Sequence, residues 1–324
     1  MLNKRASLVA TSIVLLLLST ASTLMACFWI TGTSYGGHPK RASGVGTAVR
    51  LRSFLKMDHH DEGVKMQSML ANSTNFNERS DYAVSLVYVG KTKEAVELLQ
   101  TLEKEQSGTY IVAANLGTAL ELLGNNEEAL KWIREGIRRN PQSHEGTEWL
   151  HAKILEAKIA AQKDAYYFKK HSVLELDPQH VSSAMTIDGR TLSPKQVGEA
   201  IEYQLQERLQ FVKPPDPAVA SLLFDYAAIE AATNILESAK GLLKMAVEYG
   251  YPADRVEAQI KLYDRKIASM KTEQNILYVI YAVVGIGALI LLVKTVSFVF
   301  SSIGRLITVG TNSRGRADRI NTDN

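Results

Sequence analysis

The densest run of side chains able to bind a metal or move a proton is Asp58-His59-His60-Asp61-Glu62. Imidazole nitrogens beside carboxylates can ligate zinc and activate a water for hydrolysis. Successive helical residues point about 100° apart, so His59 and His60 share an ion only if a third ligand comes from elsewhere in the fold. A solvated polar face is the plainer reading of the run. The remaining histidines, His38, His144, His151, His171 and His180, are scattered, although His144 and His151 are seven apart and could share one helix face. No HExxH, Walker A, GxGxxG or GxSxG pattern occurs. The single cysteine, Cys27, excludes an intrachain disulfide framework and every Cys-rich zinc site. Trp132 and Trp149 suit packing between helices better than ligand binding. The residues therefore predict no catalytic centre, no resident metal and no cofactor. A metal-dependent hydrolase or metal-binding protein using His59 and His60 is the alternative.

The elements that carry these residues follow from composition. The chain has 324 residues, 46% of them hydrophobic and 22% charged, which excludes a collagen-like or wholly disordered polymer. A formal charge of +3 gives no footprint of a nucleic-acid binder. Lys4-Arg5, an apolar stretch from Leu8 to Leu18 and the small residues 19–23 have the layout of a secretory signal. The four residues that follow, Leu24-Met25-Ala26-Cys27, resemble the bacterial lipobox. That resemblance implies cleavage before Cys27 and lipid on its thiol, against an ordinary cut elsewhere or an uncleaved anchor. A second apolar segment, Ile276 to Val293, runs for 18 residues without a charge and, extended to Phe300, is long enough to span a bilayer. Arg305, Arg314, Arg316 and Arg319 follow it and place that end in the cytoplasm by the positive-inside rule. Both ends then put residues 28–275 outside the cytoplasm. The outer portion is slightly acidic, which is no trap for polyanions.

Between the ends the hydrophobic pattern is helical, with a period of 34 residues. Ala95 recurs as Ala129, Tyr82 as Leu116, Ala83 as Gly117, Leu86 as Leu120, Gly90 as Gly124, and Leu99 as Ile133. Small residues at a helix crossing, large apolar ones beside them and a glycine in the turn are what a packed helix hairpin needs. This pattern resembles the tetratricopeptide repeat (TPR), whose small eighth and twentieth positions match Ala83/Ala95 and Gly117/Ala129. Residues 115–141 match specifically and 76–109 fairly. Residues 146–178 are repeat-like, and 220–253 place Tyr226, Ala227, Ala239, Leu243 and Ala246 in the same frame.

The expected fold is all-α: a TPR-like helix-hairpin solenoid with one C-terminal transmembrane helix. Its parts are a signal peptide (1–26), a flexible tether (27–45) and helical repeats (46–178). There follow a connecting helix with a Pro-rich linker (179–217), a further hairpin and juxtamembrane helix (218–275), the span (276–300) and a basic cytoplasmic tail (301–324). A stretch from Gly46 to Leu70 reads as one helical stretch, and an amphipathic helix begins at Ser193-Pro194. The resemblance implies a concave surface lined by the first helix of each repeat: Asn77, Asp81, Val84 and Tyr88, then Ile111, Asn115, Thr118 and Leu122, then Glu148 and Trp149. Only Asn115 matches the carboxylate-gripping pattern of the family, and its basic partners are missing. An apolar and amide groove suits a protein or peptide segment. The expectation is a non-enzymatic scaffold in a bacterial cell envelope, with self-association through the repeats as a further possibility.

Overall fold

The computed structural model describes residues 29–43, 46–176, 181 and 183–320. The signal segment and Cys27 lie outside the described residues, as does His180. The chain divides into two compact units, Met1–Ile267 and Ala268–Asn324.

The first unit is helical, with two small antiparallel ribbons. Strand β1 (Trp29–Thr33) pairs with β2 (Pro39–Ser43), Thr33 lying opposite Pro39. Within the tether expected over 27–45, residues 29–43 thus form an ordered ribbon. Gly32 explains the docking: a Cβ there would meet Ile235 Cδ1 at 2.7 Å, so only glycine lets the ribbon lie this close. Thr33 then donates from its backbone N and its Oγ1 to the Glu237 carboxylate at 2.8 and 2.9 Å. Lys40 Nζ donates to the Thr233 carbonyl at 2.7 Å.

Helix α1 (Thr47–Phe54) and helix α2 (His60–Leu70) are separate, whereas the sequence reads as one stretch. They serve different neighbours. Leu51 of α1 enters the core of the body, while Gly63 of α2 sits where a Cβ would meet Tyr88 Cβ at 2.7 Å.

Two hairpins follow. Helix α3 (Phe76–Tyr88) is capped by Asn75, whose side chain accepts from the Asn77 and Glu78 backbone N–H groups. It turns at Gly90 (φ 81°) into α4 (Thr92–Glu105). Helix α5 (Tyr110–Leu122) turns at Gly124 (φ 79°) into α6 (Asn126–Arg139). These glycines supply left-handed turns that other residues adopt only with strain. Ala83, Ala95 and Ala129 are wholly buried, and a Cβ on Gly117 would meet Ile133 Cδ1 at 2.6 Å. The small residues of the 34-residue frame are thus the points of closest helix approach.

Helix α7 (Glu148–Lys163) begins the next pair, but its expected second helix is only the four-residue α8 (Tyr167–Lys170). The chain after it is irregular because its backbone is claimed elsewhere. Val173 N donates to Ser221 Oγ at 2.9 Å and Leu174 N to Asp225 Oδ2 at 3.0 Å. A second ribbon, β3 (Met185–Ile187) and β4 (Arg190–Leu192), brackets the Asp188-Gly189 turn. Helix α9 (Pro194–Leu209) opens on a capping box between Ser193 and Gln196. Helices α10 (Pro217–Thr233) and α11 (Leu236–Glu248) form the further hairpin.

Buried apolar residues fall into two clusters that share α7. Ala152 and Leu155 of α7 pack with α3 to α6, while Trp149, Leu150, Ile154 and Ala157 pack with α1 and with α9 to α11. We call α2 to α6 the arm and the remainder of this unit the body. Helix α12 (Ala253–Ile320) contributes Val256, Tyr263 and Ile267 to the body core.

The second unit is the remainder of α12. Large apolar side chains from Ile276 to Phe300 are exposed along it. Among the described residues this is the one helix long and apolar enough to cross a membrane.

Candidate functional site

The first helices of the two hairpins present the surface that the repeat frame assigned to binding. On α3, Asn77 and Asp81 are exposed while Val84 and Tyr88 are half-buried. On α5, Ile111 is exposed and Asn115, Thr118 and Leu122 are half-buried. Asn115 Nδ2 donates to Ser80 Oγ at 3.4 Å, tying the two helices side by side.

Three of the expected groove residues are already engaged or buried. Tyr88 stacks on His59 (centroids 4.7 Å apart) and on Phe211 (5.8 Å). Trp149 is only 7% exposed, because it faces the body cluster. Glu148 is 2% exposed and holds two histidines. The inclusion of Glu148 and Trp149 in an open groove is therefore corrected. Helix α7 carries packing surfaces on both sides, so its first turn is not a free face as it is in a terminal repeat.

The structure places His59 and His60 beside different partners. His59 Nδ1 lies 2.9 Å from Glu62 Oε2 and Nε2 2.6 Å from Gln210 Oε1. The His60 ring lies 3.7 Å from Asp61 Oδ1, and its backbone N donates to Asp58 Oδ1 at 3.0 Å. Among the described residues no group of three or more His, Cys, Asp or Glu side chains is placed to hold a metal ion. The geometry of His59 is that of a packing and hydrogen-bonding residue between arm and body.

Beneath the groove lies a buried ionic network that sequence reasoning did not foresee. Arg208 of α9 donates from Nη1 to Glu121 Oε1 at 2.5 Å and from Nη2 to Glu121 Oε2 at 3.1 Å. Lys158 of α7 adds a donor to Oε1 at 2.9 Å. His151 Nε2 lies 2.7 Å from Glu121 Oε2, and its Nδ1 lies 3.2 Å from Glu148 Oε1. The other Glu148 oxygen takes His144 Nδ1, and the His144 ring lies between Tyr110 (6.1 Å) and Tyr203 (5.6 Å). His144 and His151 do not share a helix face, because His144 lies in the turn before α7 with φ 48°; what they share is the Glu148 carboxylate.

The charges set one another. Burial alone would push the Glu121 carboxyl up, but Arg208, His151 and Lys158 together hold it well below the usual carboxylate range. Burial opposes ionisation of Glu148 as well, and the His144 and His151 hydrogen bonds bring it down to about 2. The Glu148 hydrogen bond raises His144 against the opposing effect of burial. For His151, burial and the Arg208 charge oppose protonation, yet the bonds to Glu121 and Glu148 leave it raised. Such a network binds protons and fixes orientation.

Two sequence signals pointed here. Glu121 is the lone charge in the otherwise apolar α5. Arg208 falls on the buried stripe of α9 with Val197, Ile201, Leu205 and Leu209. Charges on apolar faces are buried only when paired.

With the hairpins, their glycine turns and their small-residue crossings in place, the family resemblance is structural as well as sequential. The arm is tetratricopeptide-like. No protein-family model matches the sequence, and no curated protein does. Among solved structures, a tetratricopeptide repeat protein from Parabacteroides merdae is similar over 67% of this chain and 98% of its own, at 18% identity and a TM-score of 0.27. A superposition at that level adds nothing to the helix geometry, which carries the likeness by itself.

Proposed function

We propose that this protein is a membrane-anchored, non-enzymatic scaffold whose TPR-like arm binds a protein or peptide segment outside the cytoplasm, within a bacterial envelope complex. The observation that supports this reading best is the open face of α3 and α5. Asn77, Asp81, Val84, Ile111, Asn115 and Thr118 offer amide, hydroxyl, acidic and apolar contacts on two packed helices. Extended or helical peptides use that mixture, since backbone groups need amide partners and side chains need apolar seats. The exposed apolar helix Ile276–Phe300 supports the anchor. The Arg-rich residues after it support a cytoplasmic C-terminus. Lipid on Cys27 would add a second attachment and restrict the array's orientation.

The groove is tested by placing a photo-crosslinking amino acid at Val84 or Ile111 in the full chain in its own membranes. Discrete crosslinked partners from these positions, and none from the exposed Lys131 on α6, are expected. Equal labelling from both faces would remove the groove from the proposal. Intact mass of the membrane-extracted protein beside Cys27→Ala tests the lipid: a mass starting at Cys27 with diacylglycerol added is expected, and a full-length mass would withdraw it.

A further inference from the structure

The two apolar clusters of the first unit share α7 and are otherwise joined by polar and aromatic side chains. Helix α9 makes the division plain. Val197, Ile201, Leu205 and Leu209 are buried in the body core. The side of α9 toward the arm makes three contacts, one with His144 in the turn before α7 and two with the arm itself. Tyr203 stacks on His144, Arg208 grips Glu121, and just past the helix Gln210 and Phe211 meet His59 and Tyr88. The seam is thus ionic and aromatic at these contacts.

At its centre His151 has both ring nitrogens on carboxylates, Nε2 at 2.7 Å from Glu121 and Nδ1 at 3.2 Å from Glu148. A neutral imidazole has one N–H and one lone pair, so it satisfies only one of these contacts. The other would set a lone pair against a carboxylate oxygen in a site from which water is excluded. The charged ring donates to both. We propose that this seam is a proton-held clasp: doubly protonated His151 joins Glu121 of the arm to Glu148 of α7, and loss of that proton lets the arm turn about α7 away from α9.

The groups facing the ring are few. Glu121 comes from α5, Glu148 from its own helix, and Arg208 from α9, with Lys158 reaching the same Glu121 oxygen. His144, through Glu148, and Glu207, near His144, act on it from further out. Arg208 and Lys158 already balance the two carboxylates, so what loss of the His151 proton removes is one of its two hydrogen bonds, leaving a lone pair against a carboxylate oxygen. The sign follows. A histidine held up by the fold contributes fully below its unfolded value and loses that contribution as pH rises through the folded one. Its two carboxylates stay ionised in mild acid, so the clasp closes in acid and loosens in alkali. Opening would uncover the Tyr88 ring now covered by Phe211. The clasp holds or fails independently of whether the groove binds a peptide.

The test is a distance measurement by pulsed electron spin resonance on the full chain in detergent micelles. Spin labels replace the exposed Asp81 of α3 and Lys195 of α9 in a Cys27→Ala background. At about pH 6 one distance is expected, and a second, altered distance should grow toward about pH 9. Above the folded-state value the open-to-closed ratio should rise by about tenfold per pH unit, the signature of one proton. His151→Gln should show the open distance already at the lower pH, with no pH dependence. A wild-type distribution unchanged across the range overturns the clasp. So does a pH response that survives in His151→Gln, because another group would then carry it. If His151→Gln fails to fold, the wild-type series still decides.

Discussion

Glu121 accepts hydrogen bonds from three cationic side chains at 6% exposure, and its environment makes sense only as a set. Removing one member of a buried ion network leaves the others uncompensated, which costs more than the network's net worth. Glu121→Leu strands Arg208 and Lys158 and is expected to destabilise the first unit by about 3–5 kcal/mol. Urea titration of the full chain reads this, and a change under about 1 kcal/mol would mean the carboxylate is hydrated after all. Asp225 is the opposite case. It is buried on α10 with a backbone N–H from Leu174, and burial pushes its carboxyl up to about 7. The fold thus favours the protonated acid, so stability falls as pH rises from the unfolded value toward the folded one. Asp225→Asn should flatten that slope, seen as a melting temperature that no longer drops between about pH 4.5 and 7.5. A slope equal to wild type would move the titration to another residue.

At the scale of elements, the hairpins are governed by what fits at the crossings. Ala129 is wholly buried where α6 meets its neighbours, and a tryptophan there must displace them. Ala129→Trp should cost roughly 1–3 kcal/mol or more. An unchanged melting temperature would count heavily against the repeat register. The β1–β2 ribbon depends on the space above Gly32. Gly32→Val would drive side-chain atoms into Ile235 and Glu237 and should undock the ribbon. Faster proteolysis confined to residues 29–43, with α10–α11 unaffected, is the expected result. Cleavage no faster than in wild type would show that the ribbon's anchorage lies elsewhere. The Gly- and Ser-rich composition of this segment reads as a tether, whereas its order comes from contacts with Ile235 and with Glu237, 204 residues on from Thr33.

For the whole molecule, the exposed apolar surface of Ile276–Phe300 has no counterpart elsewhere among the described residues. Water would have to solvate it unless a bilayer does. Replacing Val284 and Ile286 with arginine adds about 2.5–3.5 kcal/mol each to the cost of insertion at a helix centre. The double variant is expected to appear in the soluble fraction after alkaline carbonate washing, where the unaltered chain stays in the pellet. Retention of the variant in the pellet would shift the anchor to the N-terminal end.

Periodicity and small-residue spacing determined the helical class, the two hairpins and the α9 start, because each depends on residues close in sequence. Ala83/Ala95, Gly117/Ala129, Gly90 and Gly124 act within one hairpin or between neighbours, and Ser193 caps its own helix. The apolar run from Ile276 was likewise legible from length alone. The tertiary structure alone decided what lies far apart in the chain. Arg208 finds Glu121 across 87 residues, and Thr33 finds Glu237 across 204. It also decided that Trp149 and Glu148 turn inward. A residue's helix is set by its neighbours, but which of its faces meets water depends on what packs against that helix. No local pattern in 146–178 carries the position of α9.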